Sequence, residues 1–482
     1  MKVDPSPLIQ SLTERLGPKA VITDQHDIAP WLVDWRGRFH GQSAAIIAPT
    51  STAEVSMIVA MAGAAGVALV PQGGNTSMVG GATPPADGSA LILSLRRMNL
   101  IRQVDPAGNL AIAEAGVILA DLHAAAEAAG RRFPLTLGAR GSATIGGLVS
   151  TNAGGTQVLR FGTMRALVAG VEAVLPDGSV HDGLAALKKD NRGYELTQLL
   201  VGAEGTLGII TAATLRLVPA VTARAVAWAG LASPDDALAV LRRMEAATDM
   251  IESFEIVPDH SLGLVLAHLP GARAPLAGHH AWHILIEAAA TTEAGEPPAA
   301  VLERLLVSAI ADGLIADAVI AASEAQAQAF WGLRDSISAA ERASGPAVQH
   351  DISVPVAVMP RFMISAARAV EARFAGTSAG AFGHLGDGNV HFHVRAPAGA
   401  DGERWYAEQA PLITPFVHDL VTAAGGSISA EHGIGQMKLA ELVRLSAPAR
   451  LSALRAIKLA LDPGQIMNPG KLVALAPAPE AP

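Results

Sequence analysis

Three glycine-dense segments in the first half of the chain constrain its fold more than any other sequence feature. They read PQGGNTSMVGG at 71–81, LGARGSATIGGLVSTNAGG at 137–155 and GAEGTLG at 202–208. Consecutive glycines let backbone N–H groups turn toward one point, which suits a diphosphate, and neighbouring Thr, Ser and Asn residues add side-chain donors. Neither a GxGxxG motif after a strand nor a GxxxxGK[ST] motif occurs, so a Rossmann site and a P-loop are not indicated. The segments predict an anion cradle of another kind.

Short apolar runs alternate with these loops between residues 44 and 219 and predict strands: AAIIAP, VALVP, ALILSL, LAIAEAG and GIITAATLRLVP. Helices are predicted at 119–129 and from Ser51, where Glu54 completes a capping-box pattern, to a stop at Gly66. Ala/Leu/Glu-rich helical stretches then alternate with strands such as HHAWHILIEAA. The fold class is therefore predicted to be α+β with two lobes. We expect an N-terminal helical segment at 1–43, domains at 44–219 and 220–414, and a helical C-terminal segment at 415–482.

Composition excludes several classes of function. A formal net charge of -9 and a pI near 5.9 argue against a nucleic-acid surface. Because the chain has no cysteine, disulfides, iron–sulfur clusters, thiolate zinc sites and cysteine nucleophiles are excluded, and any metal must bind His and carboxylate groups. The N-terminus lacks an apolar signal region, and the apolar run at 55–70 is too weakly hydrophobic for a membrane span. We expect a cytoplasmic protein.

Histidines and a carboxylate form a metal-type pattern in the last third of the chain. GHLGDGNVHFHV (383–394) holds His384, His391 and His393 around a glycine turn, and GGSISAEHGIG (425–435) holds Glu431 and His432. In an extended VHFHV strand, His391 and His393 share one face and the apolar residues share the other. Two imidazoles and a carboxylate with an open position are typical of a catalytic site for Zn²⁺ or a similar ion. By spacing alone, ordinary hydrogen-bonded or exposed histidines are the commoner explanation of such a pattern.

A polar helix face precedes these motifs. FWGLRDSISAAERASG (330–345) predicts one helix in which Arg334 and Ser338 lie four residues apart on the same face. Helix arginines are usually solvated, and a functional role for Arg334 needs further support. The helix is followed by VQHDISVP (348–355), which predicts a strand containing Gln349.

The glycine segments resemble, in order and spacing, the FAD-binding segments of the vanillyl-alcohol-oxidase/PCMH flavoprotein superfamily. WRGRF (35–39), the two histidine-containing motifs and MNPGKL (467–472) resemble its D-2-hydroxyacid dehydrogenase branch, especially D-2-hydroxyglutarate dehydrogenases. The resemblance covers nearly the whole chain. It implies a PCMH-type FAD-binding domain at 44–219, an FAD-linked oxidase C-terminal domain that binds substrate or caps the site at 220–414, and a segment near the flavin at 415–482.

The resemblance also implies which residues contact FAD. Those expected at the cofactor are Pro71, Gly73, Gly74, Asn75, Thr76, Ser77, Gly141, Ser142, Gly146, Gly147, Thr151, Asn152, Gly155, Glu204, Gly208, Ile210 and Asn468. Ser77 stands where the family often has glycine. Some relatives tether flavin through a histidine or cysteine, whereas Asn75 lies at the corresponding part of this first loop and the chain has no cysteine. Non-covalent FAD is expected.

The resemblance assigns the remaining site residues. It implies His384, His391 and Glu431 as ligands of a divalent metal, by expectation zinc, and His432 as the catalytic base. Arg334 would bind a substrate carboxylate, with Ser338 one turn later. Gln349 takes the place of a lysine and His393 that of an asparagine in D-2-hydroxyglutarate dehydrogenases. These two departures bear on the identity of the substrate.

The predicted function is oxidation of a D-2-hydroxy acid, with D-2-hydroxyglutarate as first expectation, by hydride transfer to flavin. A metal near the substrate oxygen and a neutral histidine base would assist loss of the hydroxyl proton. The expected electron acceptor is an electron-transfer flavoprotein or a quinone, and a homodimer is possible in principle. The alternatives are a D-lactate or glycolate dehydrogenase or oxidase and, from another class, a His/His/Glu metal hydrolase. A hydrolase would purify without flavin absorbance.

Overall fold

A computed structural model describes residues 3–475, so residues 1–2 and 476–482 at the outer ends of the expected terminal segments lie outside the described part. The chain forms two compact units. Unit 1 comprises Met1–Gly155, Gly162–Ala220 and Glu431–Pro482, and unit 2 comprises Thr156–Phe161 and Val221–Ala430. The segment boundaries expected at 43, 219 and 414 stay predictions.

Helices and strands occur in both units. The helices are α1 (Ser6–Leu16), α2 (Gln25–Ile28), α3 (Thr52–Ala65), α4 (Leu119–Ala128), α5 (Ile145–Thr151), α6 (Val158–Phe161), α7 (Met164–Leu167), α8 (Leu196–Leu200), α9 (Pro234–Ala247), α10 (Asp259–His268), α11 (Pro298–Ala311), α12 (Glu324–Asp335), α13 (Ile337–Ala343), α14 (Met359–Arg373), α15 (Gly402–Ala423), α16 (Leu439–Leu445) and α17 (Pro448–Leu461). The strands are β1 (Val21–Ile22), β2 (Ile46–Ile47), β3 (Ala68–Gln72), β4 (Ala90–Ser94), β5 (Ile101–Asp105), β6 (Leu110–Glu114), β7 (Arg131–Arg132), β8 (Val168–Val174), β9 (Val180–Asp182), β10 (Ile209–Arg216), β11 (Val218–Pro219), β12 (Ala223–Leu231), β13 (Ile251–Pro258), β14 (Trp282–Ala290), β15 (Asp317–Ile320), β16 (Ala347–Ser353), β17 (Ser378–His384) and β18 (Asn389–Arg395).

Unit 1 contains a four-stranded sheet of order β1-β2-β4-β3, in which β4 pairs in parallel with β2 and β3, and a five-stranded antiparallel sheet of order β5-β6-β10-β8-β9. The helix predicted from Ser51 is confirmed as α3. Ser51 Oγ accepts a hydrogen bond from the Glu54 N–H, and the Glu54 carboxylate accepts one from the Thr50 N–H at 2.6 Å. Gly66 ends α3 with φ of 65°.

The first glycine segment begins at the end of β3, a buried strand whose carboxyl end leads directly into residues 73–77. One apolar core fixes this strand end, since Leu69 packs with α3 residues Val55, Ile58 and Val59 and with the neighbouring strand. The loop therefore starts from a rigid position. No helix within residues 3–475 is long and apolar enough to cross a membrane.

Unit 2 is built on a seven-stranded antiparallel sheet of order β15-β12-β14-β13-β17-β18-β16. Strand residues alternate between two cores, as the period of two requires. On β18, Val390, Phe392 and Val394 enter the larger core, while Phe382 of β17 belongs to the smaller core beneath α10, α12 and α13. The alternation predicted for VHFHV is confirmed by this packing.

The single helix predicted across residues 330–345 is wrong in one respect. The helix divides at Ser336, which is both the C-cap of α12 and the N-cap of α13. Arg334 therefore lies in the last turn of α12 and Ser338 in the first turn of α13. Both helices contact α10, and tertiary packing has overridden the continuous helical pattern.

Candidate functional site

The first two glycine segments pack against each other in unit 1. A Cβ atom on Gly73 would overlap Thr144 Oγ1, and a Cβ on Gly74 would overlap the carbonyl of Ser142. Asn75 adopts a left-handed φ of 52°, and its amide donates to the Val33 carbonyl at 2.9 Å. Only glycine permits this close approach of two loops, so Gly73 and Gly74 are required for the packing itself.

The third segment joins the second through backbone contacts. The Glu204 N–H donates to the Ser150 carbonyl at 2.7 Å, at the end of α5. Asn152 caps the same helix with φ of 50°, and its side-chain oxygen accepts from the Arg165 N–H at 2.8 Å. Thr151 Oγ1 donates back to the Gly147 carbonyl. The second and third segments thus form one ordered structure.

The C-terminal MNPGKL motif reaches the same place. Asn468 Nδ2 donates to the carbonyls of Gly81 at 3.0 Å and Glu204 at 2.7 Å, and its backbone N–H donates to the Leu69 carbonyl at 2.8 Å. Unit 1 therefore brings together all three glycine segments and Asn468. Their assignment to FAD stays a prediction at the level of individual residues.

Several predicted cofactor residues have a packing role as well. A Cβ on Gly146 would lie 2.6 Å from the Ala115 Cβ, one on Gly208 would lie 3.0 Å from the Val174 carbonyl, and one on Gly155 would overlap the Thr136 carbonyl. Ile210 is buried on β10. Pro71 is half-buried on β3, and Thr76, Ser77, Gly141 and Ser142 lie in the loops with partial or full exposure.

Two buried polar atoms of unit 1 fit a site that binds a cofactor. Thr144 Oγ1 is buried where the first two segments meet, and Asn468 Oδ1 is buried beside the third; neither atom has a hydrogen-bond partner within residues 3–475. A Cβ on Gly138 or Gly141 would meet no atom within 4 Å, so the second segment also faces open space. Burying a polar atom without a hydrogen-bond partner costs free energy, which favours a ligand that supplies the missing partners.

Unit 2 brings together the two predicted histidine ligands. His384 ends β17 and His391 lies on the adjacent β18, and their ring centroids are 5.5 Å apart. The His391 and His393 rings both contact Phe382, at 5.0 and 5.4 Å between centroids. The antiparallel register places Asp351 of β16 opposite His391 and Gln349 opposite His393. One sheet face therefore carries most of the predicted site residues of this unit.

A buried carboxylate orients His384. Glu255 accepts from His384 Nδ1 at 2.5 Å and from Arg334 Nε at 2.8 Å. Arg334 Nη2 lies 3.2 Å from His384 Nε2. Because guanidinium groups only donate, Nε2 is the acceptor and Nδ1 carries the proton. In this tautomer the Nε2 lone pair accepts from Arg334, and a metal bound to His384 would replace that hydrogen bond.

The electrostatics of this cluster follow from burial and charge. Burial alone would raise the pKa of Glu255, but the Arg334 guanidinium and the hydrogen bond from His384 lower it below its ordinary value. Burial and the Arg334 guanidinium lower the pKa of His391 well below its ordinary value. A neutral His391 keeps a lone pair for a metal. Two neutral imidazoles and a carboxylate suit a divalent ion such as zinc.

The second polar group on this face lies around His393. His393 Nδ1 is hydrogen-bonded to the buried carboxylate of Glu341 on α13, and Arg395 Nη2 donates to the other oxygen at 3.4 Å. Burial would raise the pKa of Glu341, but the hydrogen bond and charge of His393 and the charge of Arg395 lower it. Gln349 Nε2 is buried without a hydrogen-bond partner within residues 3–475. Ser338 is half-buried on α13.

Glu431 and His432 begin the last segment of unit 1, immediately after unit 2 ends at Ala430. Both side chains are half-buried. The backbone N–H groups of Ile434 and Gly435 donate to the Glu204 carboxylate at 2.7 and 2.8 Å. The segment that carries the predicted base is therefore attached to the third glycine segment.

Sequence reasoning missed three acidic residues of this region: Glu255, Glu341 and Asp351. The sequence did contain an indication for Glu255, because IESFEIVP predicts an apolar strand that carries two acidic residues. An acid buried in such a strand requires a partner. Glu341 gave no such signal, since a helix surface ordinarily carries charged residues. Asp351 has the neighbouring amide of Asn389 as a donor at 2.8 Å.

Comparison with known proteins places the chain in a family. Residues 43–183 match the domain described as FAD binding domain, and residues 221–472 match the one described as FAD linked oxidases, C-terminal domain. The predicted order of an FAD-binding domain followed by an FAD-linked oxidase domain is confirmed.

Relatives cover nearly all of the chain. It is 36% identical to "D-2-hydroxyglutarate dehydrogenase, mitochondrial" of Arabidopsis thaliana, over 95% of this chain and 80% of the relative. It is also 36% identical to "D-2-hydroxyglutarate dehydrogenase" of Xanthomonas citri pv. viticola, over 98% of both chains. The solved structure of p-cresol methylhydroxylase with substrate bound superposes with a TM-score of 0.73 at 16% identity, covering 97% of this chain and 96% of that one, and so shares the fold. The chain belongs to the FAD-linked oxidases.

Proposed function

We propose that this protein is an FAD-dependent dehydrogenase that oxidises D-2-hydroxyglutarate, or a closely related D-2-hydroxy acid, to the 2-oxo acid. The observation that carries the proposal is the convergence of three glycine segments and Asn468 in unit 1. The substrate class comes from the relatives named D-2-hydroxyglutarate dehydrogenase. Bound FAD would supply the acceptor for the hydride that leaves C2.

The flavin is proposed to be non-covalent. The chain has no cysteine, and Asn75 occupies the part of the first loop where some relatives carry an attaching residue. Thr144 Oγ1 and Asn468 Oδ1 are the buried polar atoms that a cofactor would satisfy. The amide of Asn75 is committed to Val33, so that residue is proposed to shape the loop.

His384, His391 and Glu431 are proposed to hold a divalent metal, with zinc as the first candidate. Support comes from the His384 tautomer fixed by Glu255 and from the burial that keeps His391 neutral. Glu431 is half-buried, and its carboxylate would complete a ligand set of two imidazoles and one carboxylate. A divalent ion there would supply Lewis acidity beside the substrate hydroxyl.

His432 is proposed as the base that takes the hydroxyl proton. Its position directly after Glu431 would keep it next to the substrate oxygen. Departure of the C2 hydride leaves a carbonyl, so the hydroxyl proton must go to an acceptor in the same step or before it. A neutral imidazole is suited to this transfer near neutral pH.

Arg334, Ser338, Gln349 and His393 are proposed to contact the substrate. Arg334 shares its charge with Glu255, and Arg395 shares its charge with Glu341. The cationic groups of this face are therefore partly neutralised before any substrate binds. That observation favours a second candidate, a monocarboxylate such as D-lactate or glycolate, which needs no second cationic partner.

Anaerobic addition of D-2-hydroxyglutarate to the purified protein tests the proposal. Flavin absorbance should bleach and 2-oxoglutarate should appear, whereas the L-enantiomer, as control, should leave the spectrum unchanged. Heat or acid denaturation of the same sample should release intact FAD into the supernatant. Protein without flavin absorbance after reconstitution would favour the metal hydrolase, and flavin retained by the precipitate would contradict non-covalent binding.

The electron acceptor, oligomer and cell compartment also belong to the proposal. We propose an electron-transfer flavoprotein or a quinone as acceptor and a homodimer as the assembly, in the cytoplasm. Reoxidation rates with each acceptor, sedimentation analysis and cell fractionation test these points separately. Rapid reoxidation by oxygen alone would instead indicate an oxidase.

A further inference from the structure

We propose that Glu204 is a positioning residue, whose carboxylate holds the loop that carries Glu431 and His432. The inference rests on the proposed function, because that proposal gives Glu431 and His432 their roles as metal ligand and base. It assigns to the third glycine segment a task beyond the flavin contacts that its motif predicted.

Both carboxylate oxygens of Glu204 are used by this loop. Oε1 accepts from the Ile434 N–H at 2.7 Å and Oε2 accepts from the Gly435 N–H at 2.8 Å. These are consecutive amides, two and three residues after His432. The Glu204 side chain is buried, so water competes little for the two charge-assisted hydrogen bonds.

The backbone of Glu204 argues that its side chain is needed at this position. Its φ of 50° lies in the left-handed region, and its neighbours Gly202 and Gly205 also have positive φ. Glycine would adopt this conformation without strain, so a glutamate there is held by its surroundings. Its N–H donates to Ser150 and its carbonyl accepts from Asn468, which fixes the peptide on both sides.

The backbone of the loop is rich in glycine. Gly433 and Gly435 have φ values of 80° and 52°, in the left-handed region that favours glycine. The first glycine segment is another anchor, where the Gln436 N–H donates to the Val79 carbonyl at 3.0 Å. Burial raises the pKa of Glu204, and the amides of Ile434 and Gly435 oppose that rise. Removing the carboxylate would remove both hydrogen bonds that attach residues 434–435 to the third glycine segment.

The experiment compares Glu204→Ala and Glu204→Gln with Glu114→Gln as the matched control. Glu114 is also a buried acid of unit 1 that accepts from a backbone N–H, that of Leu100, but it does not contact the loop. Hydrogen–deuterium exchange of peptides covering residues 432–438 is measured in the full-length holoenzyme, together with FAD content, metal content and the rate of flavin reduction.

Glu204→Ala should accelerate exchange at residues 434–435 by about 10-fold or more, because each amide loses a hydrogen bond to a charged group. Flavin reduction should slow by roughly 10²-fold, as for a misplaced catalytic group, with FAD still bound. Glu204→Gln keeps one acceptor oxygen and should be intermediate. If Glu204→Ala does not fold, the glutamine variant alone must still show faster exchange in this loop. The control, Glu114→Gln, should leave both the exchange of the loop amides and the rate of flavin reduction unchanged.

Unchanged exchange of the loop in both Glu204 variants would overturn the inference. So would loss of FAD with normal loop exchange, which would return Glu204 to a purely cofactor-binding role. Failure of the proposed function is seen differently: His432→Ala would reduce flavin at the normal rate while Glu204→Ala still loosens the loop. Equal loosening by Glu114→Gln would mean that general destabilisation, and not the local contact, controls the loop.

Discussion

His384 Nδ1 donates to the carboxylate of Glu255 across 2.5 Å, and the same carboxylate accepts from Arg334. One buried acid therefore fixes the tautomer of a proposed metal ligand and neutralises a proposed substrate-binding cation. Glu255 lies 129 residues before His384 in the chain, so the relationship depends on the pairing of β13 with β17.

Glu255→Gln should weaken metal binding by about 10- to 100-fold, because outer partners of a ligating histidine set its basicity and orientation. Competition with a chelator, followed by elemental analysis, measures the affinity. Glu252→Gln is the matched control, since it removes another fully buried acid of β13 that pairs with Arg160. Equal metal affinity in wild type and Glu255→Gln would show that His384 is not a ligand or does not need this partner.

His432→Ala should retain FAD and metal but slow flavin reduction by about 10² to 10⁴-fold, the usual contribution of a general base. Stopped-flow absorbance under anaerobic conditions measures this step alone. A control replaces His181 of the same unit, a residue of β9 outside the predicted site, by Ala. Normal reduction of the flavin in His432→Ala would place the base elsewhere.

Arg334→Ala should impair D-2-hydroxyglutarate far more than D-lactate, because the second carboxylate of the dicarboxylate needs a charged donor when desolvated. The variant also leaves the buried Glu255 with one fewer partner, so metal content must be checked in the same sample. The quantity compared is kcat/KM for the two acids.

Gln349→Lys should lower KM for the dicarboxylate, since it introduces an ammonium group at a position where the amide nitrogen is buried without a partner within residues 3–475. Equal losses for both acids in Arg334→Ala, or D-lactate as much the better substrate of wild type, would favour the monocarboxylate function. His393→Asn combined with Gln349→Lys is the sharper variant, because it introduces both residues that the resemblance to D-2-hydroxyglutarate dehydrogenases implies.

Lys471→Met should raise thermal stability near neutral pH. Burial lowers the pKa of Lys471 from 10.5 to about 8. Since the folded pKa lies below the unfolded one, the cost of burying the charge is fully present below pH 8 and disappears as pH rises toward 10.5. That shift corresponds to roughly 3 kcal/mol at pH 7. The Tm difference between variant and wild type should therefore shrink at about pH 9.5. A lower Tm for the variant at pH 7 would instead mean that the ammonium has an anionic partner, such as the cofactor.

Much of the fold and of the site was determined by the sequence itself. The capping box at Ser51, the glycine stop at Gly66 and the two-residue alternation of VHFHV depend on local backbone geometry, which neighbouring residues specify. The close packing of the first two glycine segments likewise depends on local composition, because only glycine allows Gly73 and Gly74 to approach the second loop. The order of the glycine segments and later motifs along the chain then predicted the family.

Tertiary structure alone decided which distant groups became partners. Glu255 meets His384 and Glu341 meets His393 because of the sheet order and the position of α13, and Glu204 reaches Ile434 across 230 residues. The division of a helical pattern at Ser336 is of the same kind. Which group pairs with a buried carboxylate depends on the burial of that carboxylate and on the free-energy cost of leaving its charge unpaired. That energy depends on all the groups that surround it in space, and residues adjacent in sequence carry little of this information.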